Sequence, residues 1–68
     1  MEKFKVEQTT SDAHYKSIGV TLNHYSIQLP HGIDCDFWYD VGNQFQKEKA
    51  KLAAEMTAEK LYMSGLFD

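Results

Sequence analysis

The sequence predicts an α+β fold, a three-stranded antiparallel β-meander followed by one long C-terminal α-helix packed on one sheet face (βββα). Three observations carry this prediction. Apolar and polar residues alternate in short runs before Leu29, the period of a half-buried strand. Pro30-His31-Gly32 then interrupts the chain with turn chemistry. Beyond it, apolar residues recur at helical spacing until Gly65. The whole chain of 68 residues makes one small domain, with the sheet from about Lys3 to Leu29 and the helix from about Cys35 to Ser64.

The first strand is read from Phe4 and Val6 alternating with Lys3, Lys5 and Glu7. Thr9-Thr10-Ser11-Asp12 supplies a turn. Ile18, Val20 and Leu22 mark one face of a second strand, with Ser17, Gly19 and Thr21 on the other. Asn23-His24 suits a tight turn, and Tyr25, Ile27 and Leu29 form a third strand.

The helix is expected to start at Asp34, whose carboxylate can accept an orphan first-turn amide. Ile33 and Trp38 then occupy the hydrophobic-staple positions, and Asp36 lies where negative charge suits the helix dipole. At the far end Gly65 suits a left-handed cap, with Leu66 against Leu61. Gly42-Asn43 is the weak point, a place for a kink or a break. A helix of this length spans roughly 45 Å against ~17–20 Å for a typical strand, so part of it outruns the sheet.

Trp38, Val41, Phe45, Leu52, Met56 and Met63 share one helical stripe, which is expected to cover the sheet, with Trp38, Phe45, Leu52 and Met56 buried against Val20 and Ile27. Nearly opposite lie Ala50, Ala54, Ala58 and Leu61. Small residues four apart let a second helix approach closely, and dimerisation is the staple left to a small chain without a disulfide. Self-association or docking of a partner through Ala50, Ala54, Ala58 and Leu61 is the expectation, with a homodimer the first form to look for, and Asp36, Tyr39 and Asp40 make an acidic-aromatic edge for a partner.

Charge narrows the function. The chain carries −3, and the excess lies in the helical half, where seven acids face four lysines. It contains no arginine, the residue whose fork best matches phosphate. Lys47, Lys49 and Lys51 are interrupted by Glu48, and the outer sheet face is expected to show no stacking platform, so direct nucleic-acid binding is disfavoured. The alternative is a nucleic-acid-binding βββα module that acts as a transcriptional or accessory regulator, with Lys3, Lys5 and Lys16 on phosphates. Cys35 is the only cysteine, the charged first residues do not form a signal peptide, and no apolar run approaches the ~20 residues of a membrane span. These features predict a cytoplasmic protein with no membrane association.

No constellation predicts catalysis, a cofactor or a metal. His14, His24, His31 and Cys35 could supply zinc ligands, but only His31 and Cys35 are closely spaced. Cys35 is flanked by Asp34 and Asp36, whose charge opposes a thiolate. Asp34, Asp36 and Asp40 lack the spacing of a calcium loop. In length, acidity and absence of motifs the chain is similar to phage-encoded inhibitors of host machinery, including anti-CRISPR proteins, which occlude a surface. The resemblance implies a non-catalytic protein in the host cytoplasm that binds a larger protein or nucleoprotein complex.

Overall fold

The computed structural model describes residues 3–9, 13–15 and 19–67, with backbone alone for 13–15. Strands β1 (Val6–Gln8), β2 (Ala13–Tyr15), β3 (Val20–Ile27) and β4 (Asp36–Asp40) precede helix α1 (Gln44–Ser64). β1 pairs with β3 from Val6↔Ile27 to Gln8↔Tyr25, and β2 from Ala13↔Leu22 to Tyr15↔Val20, both antiparallel. β4 pairs antiparallel with β3 from Leu22↔Asp40 to Ser26↔Asp36. A strand has only two edges, and β4 shares Leu22, Tyr25 and Ser26 with the other ladders, so it takes the opposite edge. β1 and β2 therefore lie end to end along one side of β3. The sheet has three antiparallel ranks, and α1 packs against it, which is the α+β arrangement expected.

The ranks are drawn from different residues than the alternation suggested. Asn23-His24 is no turn but the middle of β3, which runs straight through it. Val20 and Leu22 fall on even positions and Tyr25 and Ile27 on odd ones. A continuous strand therefore cannot put both pairs on one face. The structure resolves this by burying Asn23, Tyr25 and Ile27 and leaving Leu22 on the less buried side. Ser17 and Ile18 of the expected second strand, and Lys16, lie outside the described residues.

The third rank comes from the segment expected to open the helix. Asp36–Asp40 is strand, so Asp34 caps nothing and Ile33 and Trp38 form no staple. Phe37-Trp38-Tyr39 is an aromatic run that favours strands, and it alternates with period two between Asp36/Trp38/Asp40 and Phe37/Tyr39. His31 and Gly32, both left-handed (φ 63° and 69°), turn the chain from β3 into β4.

Gly42-Asn43 is where the helix begins. The Asp40 carboxylate accepts from the Gly42 amide (2.8 Å), and the Asp40 carbonyl accepts from the Asn43 amide (2.9 Å). A Cβ on Gly42 would stand 3.3 Å from that carboxylate, so the tight turn suits glycine. Asn43 is the N-cap, its side chain accepting from the Gln46 amide (3.1 Å), while the Gln46 side chain accepts from the Asp40 amide (3.2 Å). At the other end Gly65 caps the helix at φ 69°, as expected.

The 21 residues of α1 span about 31 Å and the 8 of β3 about 27 Å, so helix and central strand are nearly matched in length and the expected long overhang is absent. The packed face of α1 is the reverse of the one expected. Ala50, Ala54 and Ala58 are buried against Tyr25, Ile27 and Tyr39, with Phe4, Val6, Leu29, Cys35 and Phe37 around them. Ala54 and Ala58 are 0 % exposed, so the alanine row is core and is closed to a second chain. Trp38, Val41, Phe45, Leu52, Met56 and Met63, expected in the core, are all exposed. The cause is volume: the aromatic side chains from β3 and β4 already fill the space above the sheet, and a helix can close on them only with small residues.

Candidate interaction surface

Along α1, successive residues turn by 100°, which places Leu52, Met56 and Met63 within about 20° of Phe45. The alanine row lies about 140–220° away, so the two rows occupy opposite sides of one helix. Phe45 is 67 % exposed, Leu52 58 % and Met63 67 %. Burial of one such side chain is worth roughly 1.5–3 kcal/mol, and this fold leaves four in a line along about 27 Å. Single exposed apolar residues are ordinary, whereas contiguous ones mark contact surfaces.

Charge borders the row unequally. Glu48 and Glu59 lie about 40–60° to one side of Phe45, and Lys49 and Lys60 as far to the other. The Lys49 ammonium rests 5.1 Å from the centre of the Phe45 ring, covering one end of the row with a cation–π contact. Glu55, further round on the acidic side, is held 3.8 Å from Lys3. Among the described residues, Glu48, Lys49, Glu59 and Lys60 form no salt bridge within the chain.

A second group stands on the sheet face away from α1. Thr9 Oγ1 and His24 Nε2 are 2.8 Å apart, Ser26 Oγ donates to Asp36 Oδ1 at 2.6 Å, and His24 Nε2 lies 3.9 Å from the same carboxylate oxygen. The Trp38 ring packs on His24 with centroids 4.2 Å apart. An aromatic side chain therefore sits on the face expected to lack one. Serine, histidine and aspartate meet here in an order unsuited to nucleophilic attack. The hydroxyl donates to the carboxylate and not to the imidazole, so no base activates it.

The sequence-selected residues do not converge. Asp36 and Asp40 point to the outer sheet face beside Trp38, while Tyr39, 2 % exposed, faces α1 and is hydrogen-bonded by the Gln8 side chain. The three form no common edge. Burial, with Tyr39 beside it, pushes the Tyr25 hydroxyl above its ordinary pKa, in keeping with a core position. Leu61 is half-buried beside the alanine row. Among the described residues no three His, Cys, Asp or Glu side chains are grouped to hold a metal ion, and no helix is long and apolar enough to cross a membrane. The outer row of α1 is visible in the sequence as a stripe, but its pattern alone predicts a core position. The period-two pattern of Asp36–Asp40 was the signal that could have reversed the assignment.

Comparison of the chain with protein-family models, with curated proteins and with solved structures finds no match.

Proposed function

We propose that this chain is a small acidic interaction protein that works without catalysis, binding and modulating or occluding a larger macromolecular partner through the outward face of α1. One observation carries the reading: Phe45, Leu52, Met56 and Met63 line up as an exposed apolar row, directly opposite the alanines that pack on the sheet. The fold has no use for this row, because Tyr25, Ile27, Tyr39 and the alanines close the core without it. Its chemistry fits a protein surface, apolar at the centre and charged at the rim. Nucleic acid fits less well, since Asp36 and Asp40 flank Trp38 on the outer sheet face and place negative charge where phosphates would lie.

A photoreactive amino acid at position 52, introduced in the cell that makes the protein, tests this. Adducts to protein are expected at position 52, and their loss when Phe45→Glu and Met63→Glu are added. A chain that gives no protein adduct from position 52 does not dock through α1.

A further inference from the structure

Resting on that reading of α1, we propose that the occupant of the outer row, when no other partner is present, is a second copy of this chain, docked parallel and in register. The row is self-complementary. Phe45 and Met56, Leu52 and Met63, Glu48 and Glu59, and Lys49 and Lys60 are each eleven residues apart. An eleven-residue period is about 3.67 residues per turn, so apolar centre and charged borders run almost straight along the helix.

The borders then decide the orientation. A two-fold axis parallel to α1 sets the acidic border of one copy against the basic border of the other. Lys49 lies one residue, about 1.5 Å of rise, from the height of Glu48 of its mate, and Lys60 the same from Glu59. Four oppositely charged pairs result. A two-fold axis across the helix sets like borders together. About the midpoint of the row, Lys49 comes level with Lys60 of the mate and Glu48 with Glu59, giving like-charge pairs on both sides. The parallel arrangement is the one that the charges support. It also covers the apolar row, of which Lys49 of the same chain shields only the Phe45 end. One helix face is smaller than the ~800 Å² per partner of a standard interface, so a dissociation constant in the micromolar range is expected, low enough in affinity to exchange for another partner.

The test uses the full chain with Cys35→Ser and one new cysteine. Sedimentation should show dimer at tens of micromolar (order of magnitude). An oxidised equimolar mixture of Phe45→Cys and Met63→Cys chains should give 45–45 and 63–63 disulfides. A 45–63 product as the main species means an antiparallel dimer and overturns the proposal. Lys49→Glu with Lys60→Glu should weaken the dimer at least about tenfold, because every cross-border pair becomes repulsive, and adding Glu48→Lys with Glu59→Lys should restore it. In an antiparallel dimer the first pair of changes would leave the association nearly unaltered. A chain that stays monomeric at millimolar concentration overturns self-association, while position-52 adducts to another protein would leave the docking role of α1 intact. Dimers without such adducts would support self-association and remove the larger partner.

Discussion

The two sides of α1 differ in size more than in polarity. The inner side carries alanine at 50, 54 and 58 and is buried; the outer side carries Phe45, Leu52, Met56 and Met63 and is wet. A rule that sends the largest apolar residues inside therefore fails on this helix. Burial here follows the volume left by the opposing layer, and β3 and β4 have filled that volume with Tyr25, Phe37 and Tyr39. Large side chains that the packing has turned away are free to serve contact with another molecule.

The contrast can be broken most forcefully from the sheet side. Ile27, at 2 % exposure, is the most buried aliphatic side chain under the helix, and Ile27→Ala is expected to cost about 2–5 kcal/mol by equilibrium denaturation. Ala54→Leu comes next. It is helix-compatible and apolar, yet it adds volume at a fully buried contact, and a loss of roughly 1–3 kcal/mol is expected in chemical melts. Asn43→Ala removes the side chain that accepts from the Gln46 amide and should lower stability by about 1 kcal/mol, without altering the oligomeric state seen in sedimentation. The smallest effect belongs to Leu52→Ala. Measured where the chain is monomeric, it should shift stability by no more than about 0.5 kcal/mol. If Leu52→Ala proved more damaging than Ala54→Leu, the inner and outer sides have been exchanged and α1 packs as the stripe of large residues suggested.

The α+β class with three antiparallel ranks and the end of the helix at Gly65 agree with the alternation and the cap, although the third rank is β4 and not a strand before Leu29. Two local ambiguities hid the rest. Asn23-His24 has turn composition, but its neighbours on both sides are good strand formers, and pairing with the aromatic run of β4 draws the whole stretch from Val20 to Ile27 into one strand. Asp34 and Asp36 look like the start of a helix, and the decision against them is tertiary, since only β4 can supply the third rank. Once Asp36–Asp40 is strand, the aromatic residues move from the helix to the sheet, and the alanine row becomes the one face that fits above them. The candidate surface is hidden by the same ambiguity, because a stripe of large apolar residues on a helix has the pattern of a core face. Neither the charge borders nor the orientation that they support needs the structure to be seen; what the structure adds is that this side of α1 is open.

The order of pairing along the chain also carries a kinetic consequence. β3 and β4 are neighbours in sequence, and α1 follows β4 after a turn held by Asp40 and Asn43. The β3–β4–α1 unit therefore closes through short loops, at little entropic cost, and is expected to assemble first. By contrast, the ring of Phe4 meets Tyr62 and Phe67 at centroid distances of 5.4 and 5.7 Å, across almost the full length of the chain. This aromatic clasp closes a loop of nearly the whole chain. It is expected to form last and to open first, so that amides of β1 exchange with solvent sooner than those at the centre of β3.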